Sequence, residues 1–320
     1  MKISIIAPMY NEQDNLLRTL TEIKNELSLN GFSDYEIIFV NDGSTDSTWD
    51  IAKELEKKED RLKVLGYPVN QGRGKAMRIG FDAATGDIIV TIDFDLSYDT
   101  SHITVMVREL IENDHIDAVL ASAYMPGGKT INVPFFRLLA SKLGNYVYRS
   151  AFSSKVYTST CIVRAYRKEV IKGLLLESDD KEIHLEILSK VLANGHKIME
   201  IPATLTRRSK GRSKFRFRAT SFTHIIYLLH EKPFFIFGFF GLILMFLGFI
   251  STFIILYTRF SGDVEFARTF IGRLVSPNFV LILFLGGIQM LGLGFLGIQN
   301  NILKKELFKL QKQIKTRKEI

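Results

Sequence analysis

Short apolar runs separated by longer amphipathic stretches fill the first 120 positions of the chain. Residues 3–7, 35–40, 62–65, 87–93 and 118–122 are rich in Val and Ile and too short for buried helices. Each reads as a buried strand. Between them, Asp14 or Asn15 caps a helix to about Leu29, and a loop of turn and cap residues at 41–46 opens one to about Lys58. Residues 70–75 open a third helix ending near Ala84, and a fourth lies near 102–113. Strands alternating with helices of ten or more residues predict βαβ units, hence an α/β, Rossmann-like, mainly parallel sheet with helices on both faces. Parallel strands bring their carboxyl ends to one edge, where ligands bind.

The pattern then changes. A turn at 124–128 precedes a long helical stretch, 135–152, carrying Arg137, Lys142 and Arg149. A strand is expected at 157–165, an amphipathic helix at 179–194 stopped by Gly195, and a strand at 197–201. Residues 207–218 hold seven cations in twelve positions, alternating from Arg208 to Arg218. Residues 222–230 carry Phe222, Ile225, Ile226 and Leu229 on one helical face, which suits the membrane interface. Residues 234–257 are 24 uncharged positions, and 279–298 form a second uncharged run. Each is long enough to cross ~30 Å of hydrocarbon. A basic tail, 304–320, has Leu and Ile at helical spacing. The predicted organisation is therefore a 1–218 α/β domain, a 219–232 interfacial helix, a 233–303 pair of transmembrane helices and a 304–320 tail. Lys and Arg crowd both flanks while the inter-span loop is nearly neutral, which assigns domain and tail to the cytoplasmic side of the cell membrane.

Charge sharpens this picture. The formal net charge of +8 suits an anionic partner: nucleic acid, a membrane face or a phosphorylated substrate. Few aromatics interleave the cations (Phe215 and Phe217), which disfavours nucleic acid. The single cysteine, Cys161, allows no internal disulfide and reads as core. The N-terminus enters a strand directly, without a charged-then-apolar leader.

Candidate chemistry gathers at the strand ends. Asp93 and Asp95, one residue apart where the 87–93 strand finishes, share a side while the strand stays regular. Two hard oxygen ligands suit Mg²⁺ or Mn²⁺ bridging to a substrate phosphate. Tyr10-Asn11-Glu12, Asp42-Gly43-Ser44 and the 70–75 loop converge on the same edge. No glycine loop follows the first strand and no Gly-Lys-Ser/Thr phosphate loop is present, which disfavours a dehydrogenase or a nucleoside triphosphatase. His102, His184 and His196 are scattered and read as structural; Asp180 and Glu186 read as a solvated helix face.

In this order, Pro8-Met9-Tyr10-Asn11-Glu12, Val40 to Asp46, Asn70 to Ala76 and Asp93-Phe94-Asp95 resemble glycosyltransferase family two, the inverting GT-A fold. Tyr124 to Gly128, Arg137, Arg164 to Val170 and the Arg208 to Phe215 stretch resemble its polyprenyl-phosphate (dolichol-phosphate) mannose synthase subgroup. The resemblance implies that Pro8, Tyr10, Glu12 and Asp42 hold the base and ribose, with Lys75 also on the donor. It implies that Asp93, Asp95 and Ser97 hold the metal, with Asp93 and Asp95 managing the diphosphate. Arg137, Arg208 and Lys214 are implied as phosphate ligands, with Ser141 beside Arg137 and Arg208 at the lipid phosphate. Three departures stand out. Ser97 replaces a common Gln, Phe94 replaces a small residue and is expected to crowd the sugar, and Ala123 replaces an Arg before the 124–128 turn.

The implied reaction transfers a hexose from a nucleotide-diphosphate sugar, GDP-mannose favoured, to polyprenyl or dolichyl phosphate with inversion. UDP-glucose as donor, or a sugar hydroxyl as acceptor with a carboxylate base near 179–186, is the alternative. The implied partners are the nucleotide sugar, the lipid phosphate and membrane lipids, with no nucleic acid; a homo-oligomer is left open.

Overall fold

The computed structural model describes residues 1–134, 138–139, 141–142, 144–145, 149, 156–206, 233–261 and 276–318. The chain divides into two compact units, Met1–Thr223 and His224–Ile320.

In the first unit, β1 (Ile3–Met9), α1 (Leu16–Leu29), β2 (Tyr35–Asp42), α2 (Thr48–Glu56), β3 (Leu62–Tyr67), α3 (Arg73–Ala83), β4 (Ile88–Thr91), α4 (Ser101–Glu112) and β5 (Ala118–Ser122) follow the predicted alternation. They continue into β6 (Lys129–Ile131), β7 (Arg164–Arg167), α5 (Lys168–Lys172), α6 (Ile183–Ala193), β8 (Ile198–Pro202) and β9 (Thr204–Thr206). Seven strands form one sheet in the order β3-β2-β1-β4-β7-β5-β8. β1 pairs in parallel with both β2 and β4, placing Ile5 opposite Ile37 and Val90. The apolar residues of these strands, Ile3, Ile5, Ile6, Ile37, Ile38, Phe39, Ile89 and Val90 among them, are buried. Gly80 lets α3 approach the sheet closely, since a Cβ there would meet Ile6 Cγ2 at 2.5 Å.

Two expectations need correction. The strand expected at 157–165 is only Arg164–Arg167, and it runs antiparallel to β4 and β5. The stretch before it gives its backbone N–H groups to side chains: Tyr157 and Thr158 donate to the Glu200 carboxylate (2.7 and 2.8 Å) and Ser159 to Asn145 Oδ1 (2.8 Å). The helix expected from 179 begins at Ile183. β6 and β9 form a small separate sheet that apolar patterning did not reveal. The expected 135–152 helix falls mostly outside the described residues.

The second unit contains α7 (Pro233–Ser261) and α8 (Pro277–Lys318). They pack through glycines: a Cβ on Gly241 would lie 2.9 Å from Gly287 O, and one on Gly287 would lie 2.6 Å from Met245 Cγ. Phe249 and Phe284 meet edge to face at 5.0 Å. Ile236–Phe260 and Pro277–Leu303 are 25 and 27 residues long, apolar and largely exposed. That is the character of transmembrane helices rather than of core helices. The basic tail is no separate element, because α8 continues without a break to Lys318. The expected interfacial helix, 219–232, lies outside the described residues.

Candidate active site

The site is built from strand ends. After β1, Asn11 adopts a left-handed φ of 51°. Its N–H donates to Ser44 Oγ (2.9 Å), and its side-chain oxygen accepts from the Thr45 N–H (2.8 Å). The loops after β1 and β2 are thus laced together. Pro8 and Tyr10 remain half-buried there. Glu12 is buried; its N–H donates to Thr48 Oγ1 (2.8 Å) and its carboxylate accepts from Asn15 Nδ2 (2.7 Å).

Asp42, at the end of β2, is buried and organises the next loop. Its Oδ1 accepts from the Tyr67 hydroxyl (2.7 Å), the Gln71 N–H (2.9 Å) and the Gly72 N–H (3.0 Å). Its Oδ2 accepts from Asn70 Nδ2 (2.9 Å). Burial, and then this bond to Asp42, push the Tyr67 phenol above its usual range. Gly43 has φ +62°, and a Cβ would sit 2.3 Å from Asn70 N, so the contact between the loops requires glycine.

The start of α3 is seated on the chain before α6. A Cβ on Gly74 would meet Ser178 O at 2.4 Å, and the Lys75 N–H donates to Asp179 O (3.0 Å). Lys75 itself is half-buried on the first turn of α3. Arg78 pairs with Asp179. Glu186 anchors that chain, accepting from the N–H groups of Glu177 (2.9 Å) and Ser178 (2.8 Å) and from Lys190 Nζ (2.5 Å). Burial alone would raise the Glu186 carboxyl; the bonds from Lys190 and Ser178 outweigh it and hold the group below its usual range. Glu186 is therefore not the solvated helix residue expected, although Asp180 is exposed.

The diacid follows β4. The Ile92 N–H still bonds Ile6 O (3.0 Å); the chain then turns, with Leu96 at φ 50° and its N–H on Asp93 O (3.2 Å). Asp95 Oδ1 accepts from the Ser97 N–H (3.0 Å), and Ser97 Oγ donates to Asp93 Oδ2 (3.4 Å). Asp93, Asp95 and Ser97 thus share one turn. Arg73 Nη1 lies 3.6 Å from Asp93 Oδ1. Phe94 does not face the sugar as expected. Alternation sends its ring into the core, 4.8 Å from Phe39 and edge to face, and its carbonyl accepts from Thr19 Oγ1 (2.8 Å).

One further segment reaches this turn. Ser97 O accepts from the N–H (2.8 Å) and the hydroxyl (3.1 Å) of Thr206, the residue before the cationic run. Tyr124, just beyond β5, donates its hydroxyl to Ser141 Oγ (2.9 Å), which ties Ser141 to the 124–128 turn. Arg137, Arg208 and Lys214 lie outside the described residues. Sequence reasoning assigned no role to Arg73, Tyr67 or Asn70; membership of the 70–75 loop was the available signal for the first and last. It also missed that Arg164 is wholly buried, with its guanidinium on the carbonyls of Cys161 (2.7 Å), His184 (2.9 Å) and Ser159 (2.5 Å). Burial pushes the Cys161 thiol up to about 12, which suits a core residue rather than a nucleophile. His184 is buried too, and burial followed by the charges of Arg164 and Arg73 keeps it neutral.

Among the described residues no three His, Cys, Asp or Glu side chains form a metal-binding group. Two carboxylates and a hydroxyl fit a hard divalent cation only if phosphate and water complete its shell. The donor set fits Mg²⁺ or Mn²⁺ arriving with a diphosphate.

Sheet order and site edge together define a GT-A glycosyltransferase fold. The Glycosyl transferase family 2 profile matches residues 4–175, over half of the chain, and the chain belongs to that family of enzymes. Over 218 residues it is 37% identical to a dolichol-phosphate mannosyltransferase of Pyrococcus furiosus, covering 68% of this chain and 60% of that protein. It thus spans less than two thirds of that relative's length. Over 304 residues it is 28% identical to an undecaprenyl-phosphate 4-deoxy-4-formamido-L-arabinose transferase of Enterobacter sp., covering 92% and 87%. A glucosyl-3-phosphoglycerate synthase from Mycobacterium tuberculosis, solved with Mn²⁺, UDP-glucose and phosphoglyceric acid, shares the fold at TM-score 0.55 and 20% identity, over 71% of this chain and 78% of that one.

Proposed function

We propose that the chain is a membrane-anchored inverting glycosyltransferase that moves a hexose from a nucleotide-diphosphate sugar to polyprenyl or dolichyl phosphate. Both relatives' names carry a polyprenyl-type phosphate acceptor, whereas their sugars differ. The acceptor class is therefore better supported than the sugar. GDP-mannose is the favoured donor on the higher identity of the Pyrococcus relative, with UDP-glucose the alternative. The observation that carries the reading is the diacid turn itself: Asp93, Asp95 and Ser97 gather where β4 ends, and Ser97 O is bonded by Thr206.

In this reading Pro8, Tyr10 and Glu12 bound the nucleotide pocket, while Asp42 shapes its wall by holding residues 70–72. Asp93 and Asp95, with Ser97, hold Mg²⁺ or Mn²⁺, which neutralises the leaving diphosphate when bound. Arg73, whose Nη1 lies 3.6 Å from Asp93 Oδ1, would bring its guanidinium charge to the diphosphate. Arg137, Arg208 and Lys214, with Ser141, receive the lipid phosphate; an Arg fork meets its oxygens bidentately. An acceptor phosphate oxygen forms the new bond to the anomeric carbon as the bond to the diphosphate breaks, and the electron pair leaves with the nucleotide diphosphate. A phosphate monoester is largely ionised at neutral pH, its second pKa being ~6, so no general base is required. Glu186 is engaged by two N–H groups and Lys190, so it does not serve as the base that a sugar-hydroxyl acceptor needs. The basic flanks assign the catalytic unit to the cytoplasmic side.

The test uses purified protein, Mn²⁺ or Mg²⁺, a short polyprenyl phosphate and GDP-mannose or UDP-glucose in separate reactions, with glycolipid detected by mass. Product from one donor, absent with Asp95→Ala, is expected. Donor hydrolysis without glycolipid would reject the acceptor, and no donor binding would reject the reaction.

A further inference from the structure

The end of α8 carries a feature that the transfer reaction does not use. At 1.5 Å per residue its 42 residues extend about 63 Å, roughly twice the ~30 Å hydrocarbon thickness. Among the described residues, its partner α7 reaches only part of its length. α7 begins at Pro233, and a Cβ on Gly297 would lie 1.9 Å from Pro233 Cγ, so the two helices touch there. Beyond Gly297, α8 continues to Lys318 past the start of α7.

Along this continuation Leu296, Asn300, Leu303, Leu307, Leu310 and Ile314 recur at alternating spacings of four and three. That is the a/d repeat of a coiled coil, with Leu at every d position and Asn300 at an a position. Lys304, Lys305, Lys309, Lys312, Lys315 and Lys318 all fall outside the seam, and Arg317 ends it. The g positions are Gln299, Glu306 and Gln313, and the e positions are Lys304, Gln311 and Lys318. A second copy in register meets no like charge across these g–e pairs. Leu303 and Leu307 are 60% and 49% exposed in the single chain.

The bilayer covers this stripe only as far as Leu303, where the span ends; Leu307, Leu310 and Ile314 follow it in the sequence. Neither Gly nor Pro interrupts 298–318, so the helix keeps the axis of the span and projects away from the membrane. Two copies inserted in one membrane share an orientation, and only a parallel pair sets a against a and d against d. We infer that the C-terminal part of α8 pairs with the same segment of a second copy as a short parallel coiled coil, with Asn300 setting register and strand number. This goes beyond the transferase reading and stands independently of it.

Cysteine cross-linking of the full chain in membranes tests the seam. Leu307→Cys, at an a position, is expected to give an interchain disulfide dimer under copper–phenanthroline oxidation, severalfold more than Lys305→Cys on the outer face. The native chain, with only buried Cys161, is expected to give none. Equal yields from the two variants, or none from either, would overturn the proposal; the second is also what a tail lying on the bilayer would give. As an independent readout, the protein mass in detergent is expected to fall from two copies to one in Leu307→Asp/Leu310→Asp, both beyond the span, with membrane insertion and helix content by circular dichroism retained as proof of folding. A monomeric native protein, or a dimer unchanged by the double substitution, would overturn it.

Discussion

Asp42 was readable as a strand-end carboxylate, but its job in the structure is different from contact with base or ribose alone. It holds Tyr67, Asn70, Gln71 and Gly72 through four hydrogen bonds. Asp42→Asn puts an amide donor where N–H groups already point, and a bond to a charged acceptor contributes about 1.5–3 kcal/mol. Nucleotide-sugar affinity is expected to fall about 10- to 100-fold by calorimetry. Tyr67→Phe, which removes one neutral donor, is expected to cost about threefold to tenfold. The reverse order would refute Asp42 as organiser. At this scale the sequence exposed residue type and strand position: Asp93, Asp95 and Ser97 do share a turn. It did not expose partners distant along the chain, which is why Arg73 on Asp93 and Arg164 on three carbonyls went unread. Phe94 was legible in principle, because alternation alone sends it away from Asp93 and Asp95 and into the core.

Elements with apolar runs were legible because burial on both faces of a parallel sheet demands them. β6 and β9 are three residues each and partly polar, so no such demand marks them. The direction of β7 was hidden for another reason: its approach is held by Glu200 and Asn145 instead of by ladder bonds. Side-chain clamps of this kind set two measurable properties. At the sheet edge opposite the site, Glu36 Oε1 accepts from Ser4 Oγ (2.5 Å), Thr85 N (2.7 Å) and Thr85 Oγ1 (2.8 Å), and Lys2 Nζ lies 3.3 Å from Oε2. Burial acts upward on this carboxyl, but the Ser4 and Thr85 bonds and Lys2 bring it down to about 2. A depressed carboxyl stabilises the fold fully above its unfolded pKa of ~4.3, and the contribution is lost as pH falls from there through about 2. Glu36→Gln is therefore expected to cost about 2 kcal/mol at neutral pH, with the gap closing below pH ~4, as read by denaturant unfolding. Glu186 clamps the chain under α3 in the same way. Glu186→Gln is expected to lower the melting temperature and raise the donor KM severalfold while leaving the pH profile of kcat unchanged. A general base would instead lose about 10²- to 10⁴-fold in kcat together with one limb of the profile.

The molecule separates two tasks between two units. Every described site residue, from Pro8 to Thr206, belongs to Met1–Thr223, and both apolar spans belong to His224–Ile320. In the proposed reaction, donor binding is then a property of the first unit, and the membrane unit contributes proximity to an acceptor that is itself confined to the bilayer. Confinement turns a bimolecular encounter into an effectively local one, a large entropic advantage for a lipid substrate. The proposed reaction accordingly makes a split prediction for the 1–223 fragment. Its nucleotide affinity is expected to stay within about twofold of the full chain, because among the described residues none of the donor-side hydrogen bonds leaves with the second unit. Transfer to long-chain polyprenyl phosphate in vesicles is expected to fall by at least about 100-fold, while a short-chain acceptor in solution recovers most of the lost rate. Calorimetry and mass detection of glycolipid on the two acceptors measure each arm. Loss of nucleotide affinity in the fragment would mean that the second unit helps to build the donor site. An unchanged rate on vesicles would mean that the spans serve something other than acceptor access.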